Sequence, residues 1–170
     1  MGPQERFQTL VDEHRKIVYK ICAAYCRNVG DREDLAQEIV IALWRAFDSF
    51  DGHVLFSTWM YRVALNVAIS FYRRDERRTR PLAAIDDTVI AICETDGREP
   101  EDVLLLYQFI GGLDELNRAL VLLYLDGHSY REISDVLGIT ETNVATKLSR
   151  LKTSMKHQLA ESQDRGGKVL

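Results

Sequence analysis

Residues 129–157, SYREISDVLGITETNVATKLSRLKTSMKH, read as two helices joined by a tight turn. Ser129 precedes an apolar run of helical period with Glu132 three residues on, the pattern of a capping box in which each side chain satisfies a backbone amide of the other residue. The helix it opens buries Ile133, Val136 and Leu137. Gly138 supplies the sharp turn, and Thr140 caps the next helix after only a few residues, the layout of a helix-turn-helix. Upstream, LDELNRALVLLYLDG places Leu116, Ala119, Leu120, Leu123 and Tyr124 on one stripe, and Gly127 ends that helix. After Thr140, Val144, Leu148, Leu151 and Met155 share the core-facing sector. The opposite sector carries Thr142, Thr146, Ser149 and Thr153, flanked by Asn143 and Arg150. Short hydroxyl side chains let a helix approach a DNA groove. Asn and Arg form paired hydrogen bonds with base edges, and Lys147, Lys152 and Lys156 reach phosphates. A merely solvated face has similar composition, and helix-turn-helix geometry also serves plain packing.

The chain as a whole is acidic, with 170 residues, a net charge of -4 and a pI near 5.6, so its charge does not announce a polyanion partner. The charge is unevenly distributed. Five arginines and two acids lie between Arg73 and Arg80, four Lys or Arg and one Glu between Thr140 and His157, and seven acids with only Arg98 between Asp86 and Asp102. A hydrophobic share of 46% with 28% charged residues excludes a wholly disordered chain. No apolar run is long enough to span a bilayer, and the N-terminus lacks the apolar core of a signal peptide, so a cytoplasmic protein without direct membrane insertion is expected. Cys22, Cys26 and Cys93 do not make a disulfide framework. Cys22 and Cys26 share a helical face with His14 two turns earlier. That admits a metal or redox site, with buried small cysteines as the plainer alternative.

Apolar residues recur at three- and four-residue spacing almost throughout, and no period of two is sustained, which predicts an all-α protein. Pro81 and Pro100 bracket the acidic stretch and mark it as a linker, with room for a short amphipathic turn at Val89 to Cys93. The expected organisation is an N-terminal helical domain over 1–80, a linker over 81–102, a helix-turn-helix domain over 103–160 and a flexible tail over 161–170.

In the N-terminal part, DREDLAQEIVIALWRAFDSF forms an amphipathic helix with Leu35, Ile39 and Leu43 as its core stripe. Asp34, Gln37, Glu38 and Ile41 make a mixed acidic and apolar strip, suited to a protein partner or simply to solvent. Asp51-Gly52 signals a turn, and a second helix follows with Ser57 as its expected cap. Along it Arg62, Asn66, Ser70 and Arg73 or Arg74 recur at helical spacing, while Trp59, Val63, Val67 and Phe71 form an apolar edge. A basic edge beside a loop with Phe50, His53 and Phe56 suits backbone phosphates and an unstacked base. The aromatics serve equally as core, the better reading for Trp59.

These segments in this order, over about residues 5–158, resemble a bacterial RNA polymerase sigma factor of the extracytoplasmic function type, group IV of the sigma-70 family. The resemblance implies a region 2 helical bundle and a region 4 helix-turn-helix joined by the acidic linker. It implies core RNA polymerase as partner, engaged through the beta-prime clamp helices and the beta flap, and promoter DNA read at the -10 and -35 elements. The D-x-x-D-L-x-Q-E helix, here Asp31, Asp34, Leu35, Gln37 and Glu38 with Ile41 beside them, would face the clamp helices. Phe50, His53 and Phe56 would border a flipped -10 base, with Asn66 reading that element and Arg62, Arg73 and Arg74 near its backbone. Thr142, Asn143, Thr146, Lys147, Ser149, Arg150 and Lys152 would read the -35 duplex. An anti-sigma factor able to hold the protein near the membrane is the expected regulator.

The chain departs from the family's common recognition-helix pattern at Thr142 to Lys147, where lysine keeps a charge but loses arginine's planar fork, so the -35 sequence does not transfer. In the loop, His53 and Leu55 replace the more usual small polar residues and leave the flipped base open. A helix-turn-helix regulator that is not a polymerase subunit is the rival reading. It leaves the acidic strip and the basic edge without a common purpose. An enzyme would rest on Asp31, Glu33, Asp34 and Glu38, or on His14 with the cysteines; without a histidine partner or phosphate loop these carboxylates are weak catalytic evidence. No catalytic residue, cofactor or metal is therefore expected.

Overall fold

The computed structural model describes residues 1–74 and 87–166. The arginines of the basic run from Arg77 onward, the first part of the expected linker and the last four residues of the expected tail lie outside the described residues. Among the described residues the protein is helical with no strand: α1 (Pro3–Glu13), α2 (Arg15–Tyr25), α3 (Val29–Ala46), α4 (Phe56–Arg74), α5 (Asp87–Asp96), α6 (Pro100–Gly111), α7 (Glu115–Leu125), α8 (Tyr130–Leu137) and α9 (Glu141–Gly166).

Helices α2, α3 and α4 pack as a bundle. Asn28 opens α3 by accepting the Asp31 amide at 2.8 Å, and its stripe of Leu35, Ile39 and Leu43 is wholly buried. Burial of that kind contributes roughly 1.5–3 kcal/mol per aliphatic side chain. In α4 the deepest residues are Met60, Tyr61, Ala64, Leu65 and Ala68, with Trp59 buried beside them. The helix begins at Phe56, one residue before the expected Ser57 cap, and its first-turn amide of Trp59 bonds to the Leu55 carbonyl at 3.1 Å.

The stretch expected to be a linker is partly a packed element. Its described portion forms the ten-residue α5, which lays Val89, Ile92 and Cys93 against α2, and Pro100 then occupies the first turn of α6. Proline is favoured there because its missing amide hydrogen has no intrahelical partner to lose. The acidic side chains masked an apolar i, i+3, i+4 pattern too short for a stable helix until a neighbour covers it.

Helix α7 is the central element. Ala119, Leu120, Val121, Leu122 and Leu123 are all buried, so the predicted single stripe is covered on more than one side. It ends in a Schellman motif: the Gly127 amide bonds to the Tyr124 carbonyl and that of His128 to the Leu123 carbonyl, both at 3.1 Å, with Gly127 at φ 82°. Helix α9 continues through Gly166, into the stretch expected to be a flexible tail. The core cluster is continuous from Phe7 in α1 to Leu148 in α9.

Candidate functional site

The helix-turn-helix is positioned by local bonds. Ser129 and Glu132 exchange theirs, amide to carboxylate at 2.8 Å and amide to hydroxyl at 3.1 Å. The Ser129 amide holds the Glu132 carboxyl below its usual range. Gly138 turns the chain at φ 69°, a left-handed conformation that side chains disfavour. The Ser134 hydroxyl donates to the Ile139 carbonyl at 2.5 Å across this turn, and Thr140 accepts the Asn143 amide at 3.1 Å. Val144 and Leu148 are buried, which turns Thr142, Asn143, Thr146, Ser149 and Arg150 outward, with Lys147 half-buried at the edge. The Thr146 hydroxyl donates to the Thr142 carbonyl, so its oxygen faces outward as an acceptor. Lys152 departs from this row. Its ammonium lies 4.3 Å from the centre of the Tyr124 ring, and the contact with Tyr124 raises its pKa. That cation-π contact draws it toward α7.

On α3, Asp34, Gln37 and Ile41 are exposed and Asp31 and Glu38 half-buried, as a partner surface requires. Leu35 is not part of that surface: it has no exposed area, because it belongs to the core stripe with Ile39 and Leu43. Val40 and Trp44, 38% and 46% exposed, extend the apolar part of the strip beyond what the sequence singled out. Their four-residue spacing on a face away from the core stripe was the available signal. Beside them a groove of about 610 Å³ is lined by Glu38, Ile41, Ala42, Arg45, Val67 and Arg74.

The loop before α4 rests on an aromatic cluster. The Phe50 ring lies 5.3 Å from that of Trp59 and 5.4 Å from that of Phe56. Phe56 is buried and braces the loop from beneath, so it is not placed to border a base; His14 packs against its ring at 5.2 Å. Above this base Gly52 adopts φ 79°, and His53, Val54 and Leu55 are exposed. The His53 amide donates to the Asp51 carboxylate at 3.0 Å.

Along α4, Arg62 and Asn66 are exposed. Arg73 and Arg74 are exposed but paired: Arg73 Nε lies 3.0 Å from Glu115 Oε1, and Arg74 Nη2 lies 2.7 Å from Glu38 Oε2. Glu115 is held below its usual range by its own backbone amide at the start of α7 and by Arg73. The His14 ring bonds the Leu10 carbonyl at 2.9 Å and is not drawn to the cysteines. Burial pushes the Cys22 thiol up to about 12, which removes the thiolate that redox chemistry would use.

The helix-turn-helix thus carries an outward row of hydroxyl, amide and guanidinium groups, the composition of a DNA-reading helix, and the second module carries an acidic and apolar strip. Residues 10–78 match the family model described as Sigma-70 region 2, and residues 104–155 match Sigma-70, region 4. The chain is 30% identical to the ECF RNA polymerase sigma factor SigW of Bacillus subtilis, over 94% of this chain and 92% of that protein. It is also 30% identical to the ECF RNA polymerase sigma-E factor of Escherichia coli K12, over 93% and 88%. The chain belongs to the extracytoplasmic function sigma factors of the sigma-70 family. Its fold is similar to two solved structures. CnrH in complex with the cytosolic domain of CnrY gives a TM-score of 0.68 at 24% identity, over 94% of this chain and 91% of that one. The sigma factor RpoE in complex with the anti-sigma factor NepR from Bartonella quintana gives 0.70 at 15%, over 92% and 96%.

Proposed function

We infer that the protein joins core RNA polymerase and directs transcription initiation at promoters read through -10 and -35 elements. The observation that carries this reading is the match to regions 2 and 4, in order, on a chain whose α4 edge and α9 row both present base- and phosphate-binding groups outward. Asp34, Gln37, Ile41 and Trp44, with Glu38 and Asp31 at the margin, form the surface for the polymerase clamp. Arg62 and Asn66 face the -10 strand, with Arg73 and Arg74 joining them once released from Glu115 and Glu38, and the exposed loop at His53 to Leu55 meets the unstacked base. Thr142, Asn143, Thr146, Ser149 and Arg150 read the -35 duplex, with Lys147 on its phosphates.

The role is that of an initiation factor, with the chemistry of RNA synthesis left to polymerase. Neither DNA contact needs high affinity alone, because attachment to polymerase raises the effective concentration of both modules at one promoter. The net negative charge then serves to limit binding of the free factor to bulk DNA, which is mainly electrostatic. Among the described residues no helix is long and apolar enough to cross a membrane, consistent with action in the cytoplasm. An anti-sigma factor is the fitting regulator, since both structural relatives are complexes and the RpoE partner is described as one.

The test is co-elution with sigma-free core polymerase, comparing the natural chain with Asp34→Arg/Glu38→Arg. Association that the double variant loses supports the reading. No association by a folded natural chain overturns it in favour of a stand-alone DNA-binding regulator.

A further inference from the structure

Between α2, α5, α6 and α7 lies a cavity of about 480 Å³ to which promoter reading gives no purpose. Its volume falls within the roughly 300–1,000 Å³ of small-molecule sites, which combine an apolar lining with a few convergent polar groups. The apolar wall is Ile92 of α5, Val103 and Leu106 of α6, and Leu122 and Leu125 of α7.

The polar wall is held in place by its own bonds. Lys20 Nζ lies 2.6 Å from Asp126 Oδ1 and 3.4 Å from Asp96 Oδ2, and the other Asp126 oxygen accepts the Tyr61 hydroxyl. Three groups on this wall remain open. Asp96 has no side-chain partner but Lys20 among the described residues, so its second carboxylate oxygen is available. Arg98, exposed at the mouth, has no ion pair or hydrogen bond among the described residues. Tyr107 of α6 is only 5% exposed, yet its hydroxyl has no hydrogen-bond partner among the described residues. Burial pushes its pKa up, with Asp96 and Asp126 adding to the rise and Arg98 and Arg32 opposing it, which sets the hydroxyl among the charged groups of the cavity. An enclosed hydroxyl without a partner destabilises the fold, whereas phenylalanine would pack the same ring at no such cost. Water satisfies a hydroxyl, but water does not call for an open guanidinium and an open carboxylate oxygen on the same wall.

The charges of the cavity balance, two acids against two bases, so they favour a ligand that carries both signs and is neutral as a whole. We propose that the cavity is a binding site for a free amino acid with a branched aliphatic side chain: its carboxylate takes the Tyr107 hydroxyl and the Arg98 guanidinium, its ammonium takes Asp96, and its side chain lies on Val103, Leu106 and Leu122. The absence of any aromatic ring but Tyr107 from the lining fits an aliphatic rather than an aromatic side chain. The site stands apart from promoter reading and does not depend on it.

The test is isothermal titration calorimetry of the full chain with L-leucine, up to about 10 mM so that a Kd of about 1 mM is resolved. Leucine should bind and should raise the Tm. Isocaproate lacks the ammonium and isoamylamine the carboxylate, and each should bind about tenfold more weakly or worse. Tyr107→Phe and Arg98→Gln should each weaken leucine binding about fivefold or more while keeping the helical circular-dichroism spectrum. A packing role for Tyr107 would move the Tm and leave the affinity alone. Arg98 is exposed, so its variant judges the site even where Tyr107→Phe disturbs folding. No leucine binding by the natural chain overturns the proposal, as does binding that a folded variant leaves unchanged. Isocaproate or isoamylamine binding as tightly as leucine overturns it too, because one of the two charged contacts is then idle. Co-elution with core polymerase is scored apart: its failure removes the sigma reading and leaves the titration to judge the cavity alone.

Discussion

Arg118 shows how much one side chain can settle. Its fork donates to the carbonyls of Ala24, Gly111 and Leu113, and its flat face lies over Tyr72. Burial lowers its pKa, but guanidinium stays charged in any attainable protein interior. Arg118→Met keeps the bulk and strands the carbonyls, so urea unfolding should show a loss of about 3 kcal/mol. Arg118→Lys should recover only part of this, because an ammonium lacks the fork. Lys147 sits at the opposite extreme. It is half-buried at the edge of the α9 row and has no role in the core, so Lys147→Ala should leave thermal stability within about 0.5 kcal/mol of the natural chain. In holoenzyme it should weaken promoter binding evenly across -35 sequences and lower the salt slope by about 0.9, measured as binding against salt concentration. A loss confined to one base pair would instead give Lys147 a base-reading role.

At the scale of the element, α8 is fixed by signals a few residues apart. Its capping box, the left-handed Gly138 and the Thr140 cap are chemically local, so the sequence alone carried them. The box has a pH signature. The folded state depresses the Glu132 pKa, chiefly through the Ser129 amide, with the charge of His128 adding to it. Its stabilising contribution is therefore complete above the ordinary glutamate value near pH 4.3 and fades as pH falls from there through the lower folded value. Glu132→Gln should flatten that part of the acid limb in a thermal-melt series while leaving DNA-facing groups unchanged. Helix α5 is the contrasting case. Among its described side chains Val89, Ile92 and Cys93 bury, and the surface they meet on α2 lies some seventy residues earlier in the chain, so nothing near Val89 or Ile92 distinguishes a packed helix from a solvated turn.

Across the whole molecule, what was legible followed range. The all-α class, the helix-turn-helix and the α3 core stripe rest on periodicity and neighbouring caps. The family resemblance supplied the order of the modules. The spelling of the α3 motif mixes core and surface positions, and burial alone separates Leu35 from Asp34. Phe56 is a similar case, since its place in sequence is beside the loop while its neighbours in space include Trp59 and His14. The bonds that tie α7 to α2 and α4 could not be read at all: Tyr25 and Glu115, or Tyr61 and Asp126, are brought together by tertiary packing across sixty residues or more.

The two tryptophans divide along the same line of burial. Trp59 is enclosed in the aromatic cluster, while Trp44 stands 46% exposed on the strip assigned to polymerase, its ring edge-on to Phe7 at 5.0 Å. The chain therefore carries a native optical gauge of that surface. Water relaxing around Trp44 reddens its emission, whereas Trp59 emits from a dry site whether or not a partner is present. Any partner that seats on α3 should shift the spectrum to the blue, and Trp44→Phe should abolish the shift while keeping the Trp59 signal.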